Sequence, residues 1–133
     1  MIPELTNFIK LFLNKTQDKQ IILIGHFDTD GITSTAIMTE TLKRLDLNFT
    51  TKILKQLTDE EIYNIPKDRV VIFTDLGSGS LEKLSKLKNE IFIIDHHELS
   101  EKSEFLNKQK NIHLFNPHIH ENKDPLCSAE LAY

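Results

Sequence analysis

Cysteine occurs once in the 133 residues, at Cys127, so the chain cannot close an internal disulfide, as suits a protein of a reducing cytoplasm. Tryptophan is absent, and arginine is confined to Arg44 and Arg69. Basic residues number 16 against 20 acidic ones, a net charge of −4, which argues against a broad cationic face for non-specific nucleic-acid binding. No apolar run approaches the ~20 residues needed to cross a membrane. Residues 1–15 place Pro3, Glu4 and Asn7 within an amphipathic pattern, which does not read as a signal peptide, so a cytoplasmic protein without a membrane partner is expected. Repeats, low-complexity segments and interdomain linkers are missing, and the length suits one domain with a real core. Glycine is scarce, with only Gly25, Gly31, Gly77 and Gly79.

What is present alternates between two hydrophobic periods. Leu5, Phe8, Ile9, Phe12 and Leu13 make a helical stripe over 3–15, opened by Pro3. Residues 20–25 are a β-branched apolar run of the kind buried on both faces of a sheet. A helix is expected over 32–45, a less apolar edge strand over 48–54, and a short helix capped by Thr58 with Glu61 that ends before Pro66. Strands follow over 70–73, 91–94 and 112–115, with helices over 80–89 and 100–110 between them and a final helix from Ser128. This order predicts an α/β fold, a Rossmann-like parallel sheet of about five strands with helices on both faces.

Such sheets bind ligands beyond the carboxyl ends of their strands. Three strands here run directly into acid or histidine: His26, Asp28 and Asp30 after the first, Asp75 after the third, Asp95-His96-His97 after the fourth. Alternate spacing would set His26, Asp28 and Asp30 on one side if the chain stays extended. Each feature has a structural alternative: Asp30 as an N-cap, Asp75 as a turn former with Ser78 or Ser80, His96 and His97 as surface loop, and His113 as a packing residue. Their coincidence on one rim favours a site. Two divalent cations bridged by a carboxylate would activate a water and neutralise phosphoryl charge, and they would add positive charge where the acids gather. Asp75, alone at its strand end, is the natural bridge. Mixed imidazole and carboxylate donors favour manganese, with magnesium as the second candidate. All four glycines flank these donors, and Thr33, Ser34 and Thr35 open the expected helix after Gly31, where backbone amides can hold a phosphate.

His26-Phe27-Asp28-Thr29-Asp30-Gly31, then Asp75-Leu76-Gly77, then Asp95-His96-His97 resemble the successive motifs of the DHH phosphoesterases. That family includes RecJ-type exonucleases, oligoribonucleases, cyclic-dinucleotide phosphodiesterases and family II pyrophosphatases. Asn116-Pro117-His118 and Cys127-Ser128-Ala129-Glu130-Leu131 also resemble segments of RecJ-type proteins, archaeal ones especially, and the compact first motif is closer to RecJ-like nucleases than to pyrophosphatases. The resemblance implies manganese-dependent hydrolysis of a phosphodiester or phosphoanhydride. It implies that His26, Asp28 and Asp75 ligate one ion and Asp30, Asp75 and His96 the second. His97 would then contact the substrate phosphate while Asp95 orients the pair.

It further implies a ligand aspartate beyond the helix that begins near Ser128, and a carboxyl-terminal substrate-binding domain; residues 1–133 contain neither. The expectation is therefore an incomplete DHH domain, completed within a longer protein or by a second protein chain. Its function would be that of a RecJ-like exonuclease on single-stranded nucleic acid. The alternatives are a non-catalytic scaffold subunit of a replication or repair complex, or a phosphodiesterase for short oligonucleotides, cyclic dinucleotides or pyrophosphate.

Overall fold

The structure, a computed structural model, describes residues 2–100, 103–119 and 126–133. Helix α1 spans Ile2–Thr16 and leads to strand β1, Ile21–His26. Helix α2, Thr29–Arg44, returns the chain to β2, Phe49–Leu54. The short α3, Asp59–Tyr63, begins at Thr58, whose hydroxyl accepts from the Glu61 amide as the capping pattern predicts. Strand β3, Val70–Thr74, precedes a 3-10 turn, Ser78–Ser80, and α4, Leu81–Leu84. Strand β4, Ile91–Ile94, α5, Ser103–Lys108, β5, Ile112–Phe115, and α6, Ser128–Ala132, complete the order.

All five strands are parallel, in the order β2-β1-β3-β4-β5. Alternate side chains of the central strands enter two cores, as a sheet covered on both faces requires. Ile24, Val71, Phe73, Ile91 and Ile93 pack with Ile62, Leu81 and Leu84 on one face; Leu23, Val70, Ile72, Phe92 and Ile94 pack with Phe12, Met38 and Leu42 on the other. The residues of β2 are mostly exposed, which fits the expected edge strand. The order reverses at β1, whose chain leaves toward β2 while β3, β4 and β5 extend the other way. The crevice at the carboxyl ends of β1 and β3 is thus the switch point where α/β sheets bind ligands.

Helices differ from expectation where side chains compete with the backbone. The helix expected over 80–89 stops early, because Asn89 donates to the Pro66 and Arg69 carbonyls and Asn111 donates to the Leu87 and Asn89 carbonyls. These bonds draw 85–90 out of the helix and into β4. Among its described residues the charged segment 100–110 is helical over α5; its residues 101 and 102 lie outside the described residues. His113 is a packing residue, tilted against Phe92 at 4.7 Å between centroids, with Nε2 2.8 Å from Glu90.

Phe92 is fully buried and meets Phe8 and Phe12 edge-on at 5.5 and 5.3 Å. Phe92→Ala should therefore lower the unfolding free energy by about 3–5 kcal/mol. Urea denaturation checks this, with a loss under about 1 kcal/mol contradicting the packing described.

Candidate metal centre

The first donors arise from one tight turn. Strand β1 ends at His26, and Asp28 takes an extended backbone as the N-cap of α2, its Oδ1 accepting from the Gly31 amide at 2.8 Å. Its other oxygen, Oδ2, lies 3.0 Å from His26 Nδ1. The segment is thus not extended through Asp30, and Asp28 rather than Asp30 is the cap. What brings the side chains together is the chain folding back on His26: a Cβ on Gly31 would stand 2.3 Å from the His26 carbonyl oxygen. Glycine is required there by space.

Asp75 follows β3 with φ 60°, in the left-handed region that Asp and Asn enter more readily than other side chains. Its carboxyl is buried, at 1% exposure, and its two oxygens face opposite partners. Oδ2 lies 3.3 Å from His26 Nδ1; Oδ1 lies 3.3 Å from His96 Nε2 and accepts the Ser128 hydroxyl at 2.9 Å. This is the arrangement of a carboxylate able to bridge two cations.

Asp95 is also buried, and it organises the histidine pair. Its Oδ1 accepts from the His96 amide at 2.8 Å, the His97 amide at 3.3 Å and the His97 ring Nδ1 at 2.6 Å, while Oδ2 accepts the Ser78 amide at 3.0 Å. Donation from Nδ1 sets the His97 tautomer and leaves Nε2 for the adjoining cleft of about 380 Å³. That cleft is bounded by His26, Asp75, Gly79, Ser80, His97 and Lys55. Asn116, fully buried, donates to the Ser78 hydroxyl and to the His97 carbonyl, both at 2.9 Å, tying the two loops together.

Asp30 lies in the first turn of α2, with Oδ2 3.4 Å from His96 Nε2. Both of its oxygens also receive α6: Ser128 N at 2.9 Å and Ala129 N at 2.8 Å. Thr33 and Ser34 are not brought to the cluster, contrary to expectation. Because α2 starts at Thr29, they sit inside it, where backbone amides are used by the helix. The Thr33 hydroxyl donates to the Thr29 carbonyl, and the buried Ser34 hydroxyl donates to the Gly31 carbonyl. Thr35 is taken by the Thr74 hydroxyl at 2.9 Å.

Ser78, Asn116 and Ser128 take part here although the sequence assigns them no role at the site, Ser78 being weighed only as a turn partner and Asn116 and Ser128 only as members of RecJ-like segments. Asn116 closes β5 on the same rim as the other ligand loops, a usable signal. Ser128 contacts Asp30 from 98 positions away, and nothing local to it announces that.

The electrostatics follow from burial and crowding. Burial pushes the Asp75 carboxyl up to about 6, the Ser128 hydroxyl opposes this, and the neighbouring carboxylates of Asp28 and Asp30 add to it. The Gly31 amide holds Asp28 below the usual carboxylate range. Burial acts to raise Asp30, but the Ala129 and Ser128 amides outweigh it and hold it low. Burial pulls His97 down, while its bond to Asp95 and the surrounding carboxylates more than offset this and raise it.

Carboxylates this close repel unless positive charge lies between them. Two sets of donors meet that need, His26/Asp28/Asp75 and Asp75/His96/His97, each with ligand atoms within 4.8 Å of one another. Asp75 belongs to both. Oxygen and nitrogen donors without thiolate suit a divalent cation of the manganese or magnesium kind.

A family model described as the DHH family, N-terminal domain, matches residues 20–133. Among curated proteins, an uncharacterised protein of Methanocaldococcus jannaschii is 36% identical over 104 residues, 74% of this chain and 24% of that protein. The single-stranded-DNA-specific exonuclease RecJ of Bacillus subtilis is 28% identical over 94 residues, 62% of this chain and 12% of that one. Among solved structures, RecJ from Thermus thermophilus in complex with Mn2+ has a TM-score of 0.76 at 21% identity, covering 98% of this chain and 19% of that one. CDC45 from Entamoeba histolytica has a TM-score of 0.63 at 22% identity, covering 83% of this chain and 24% of that one. Likeness at these identities is one of fold. The chain spans about a quarter or less of the length of each of these relatives. Its match over 20–133 shows that the chain belongs to the DHH family of phosphoesterases, of which it carries a RecJ-like N-terminal domain.

Proposed function

We propose that this chain supplies the metal centre of a RecJ-like exonuclease that hydrolyses phosphodiesters of single-stranded nucleic acid with two divalent cations, manganese foremost. The observation that carries the reading is the buried Asp75 carboxylate, with His26 on one oxygen and His96 on the other. His26, Asp28 and Asp75 would hold one ion. Asp75 and His96 would hold the second, with Asp30 beside them and further donors from a part of the enzyme outside these residues, in the same protein or a second chain. Two such ions supply an activated water and neutralise charge on the phosphoryl oxygens.

The chain's own groups do the rest. Asp95 holds the His97 ring by Nδ1, so that Nε2 can donate to a substrate phosphate at the cleft, and the raised pKa of His97 favours the protonated form for that contact. Asp28 spends one oxygen on capping α2 and keeps the other for the site, so the ligand is fixed by the helix it starts. A scaffold without chemistry would not need three carboxylates packed against two imidazoles, and the three intact motifs within these residues therefore favour the catalytic reading over that of a subunit in a replication or repair complex.

The decisive measurement is calorimetric titration of the 133-residue chain with Mn2+. Uptake of the His26-side ion is expected, with the second bound once the donors outside these residues are supplied, and no uptake would sink the proposal. Assembled with the remaining part of the enzyme, in one polypeptide or as a second chain, the protein should release nucleotides from single-stranded DNA only with a divalent ion. Asp75→Asn should reduce that rate at least about a hundredfold, since it removes the shared anionic ligand. Side-by-side turnover of oligoribonucleotides, cyclic dinucleotides and pyrophosphate fixes the substrate.

A stability consequence follows for the protein stripped of metal. The Asp75 carboxyl titrates near 6 in the folded chain against 3.8 ordinarily, so between those values the folded state holds a proton that the unfolded state releases. Its contribution to stability is fully present below pH 3.8, declines as pH rises through about 6, and stays lost above. Asp75→Asn removes that loss while keeping a residue that tolerates positive φ. In the presence of a chelator it should melt roughly 10 °C above the wild type at pH 7.5 and show little difference at pH 3.5. A lower melting temperature for the variant at pH 7.5 would contradict the assignment.

A further inference from the structure

The two sides of Asp75 are built differently. On the His26 side the donors come from β1, the β1–α2 turn and β3, and a backbone amide of α2 fixes Asp28. On the His96 side the carboxylates are instead held by α6, an element far away in the chain. The buried Ser128 hydroxyl donates to Asp75 Oδ1 at 2.9 Å, and the Ser128 and Ala129 amides donate to the two oxygens of Asp30 at 2.9 and 2.8 Å. Glu130 closes the capping box by accepting the Cys127 amide at 2.9 Å, so the opening amides of α6 are all committed.

An aspartate side chain turns easily about its last torsion, and only donors on its oxygens fix the plane of the carboxylate. Asp75 Oδ2 faces His26. The carboxylate turns as one plane, and Ser128 supplies the hydroxyl donor that fixes its tilt at Oδ1, where one lone pair takes the Ser128 proton and the other is left for the His96 side. We infer that Ser128 is a positioning residue for the second ion: by donating to Asp75 Oδ1 while its amide holds Asp30, it sets the His96-side metal position independently of the His26-side one.

The inference rests on the two-ion reading and is separable from it. Removing the hydroxyl leaves His26 and the capping Asp28 in place for the first ion, with Asp75 Oδ2 still against His26, and takes the fixing donor from the oxygen that serves the second. Groups of this kind, acting on a ligand rather than on the metal, typically change affinity by about 10–100-fold.

The test is calorimetric titration with Mn2+ of the assembled enzyme, this chain together with the part that supplies the remaining donors, with thermal melting of each protein beforehand as a check of folding. The wild type should bind two ions with separable affinities. Ser128→Ala should weaken the second by at least about tenfold and leave the first within about twofold, and Ser128→Thr, which keeps the hydroxyl, should restore the second. Weakening of both ions together, of neither, or a threonine variant that behaves like alanine overturns the role of Ser128 while leaving the two-ion centre standing. A wild type that binds one ion removes the second position and this inference with it, and one that binds none removes the two-ion centre itself. Should Ser128→Ala melt too low to titrate, Ser128→Thr against Asp30→Asn decides: the former retains and the latter loses the second ion, and equal behaviour of the pair overturns the role.

Discussion

A buried carboxylate that faces imidazole, a hydroxyl and other carboxylates is the constraint from which the rest of this domain follows. Asp75 sits at 1% exposure, and burial keeps its proton on to about pH 6. A fold that hides such a group must either leave it neutral or give it a cation, and the histidines on opposite oxygens are placed for the second choice. Its left-handed backbone belongs to the same requirement. A strand continuing past Thr74 would carry the side chain along the sheet, whereas φ 60° turns the chain at once and keeps the carboxyl in the crevice between β1 and β3.

Topology turns that one residue into a centre. Because β1 is flanked by β2 and β3 and the strand order reverses there, loops on its two sides diverge and leave room above the strand ends. The turn after β1 brings His26 and Asp28, β3 brings Asp75, and β4 brings Asp95 with the two histidines. Parallel pairing is what places all of them on one rim. An antiparallel neighbour would send one of these groups to the far end of the sheet, about four residues or some 13 Å away.

The match between sequence and structure is uneven for physical reasons. The apolar runs 20–25, 70–73 and 91–94 fall within a residue of β1, β3 and β4, because strands buried on both faces are apolar almost to their ends, so the donors that follow them were legible. Helix limits were less so. The start of α2 depends on Asp28 rather than Asp30 taking the cap, and this moved Thr33 and Ser34 from an open helix terminus into its interior. The end of α4 depends on Asn89 and Asn111 bonding to carbonyls elsewhere in the chain, and no helical periodicity carries that information. Least visible of all was the contact of Ser128 and Ala129 with Asp30, since it joins segments whose nearness only the finished fold creates.

That last contact also explains why Asp30 resists a single description. Its carboxylate is adjacent to His96 as a ligand would be, and it receives the opening amides of α6 as a capping anion would. The two roles are compatible, because each carboxylate oxygen has two lone pairs and a helix amide uses only one. They are also mutually reinforcing. The amides hold Asp30 ionised, which a cation requires, while the negative charge at the start of α6 favours that helix, whose Leu131 and Ala132 also pack against the Phe12, Met38 and Leu42 core. The start of α6 is built onto the site, and the site is held on its His96 side by the amides and hydroxyl that this helix start supplies.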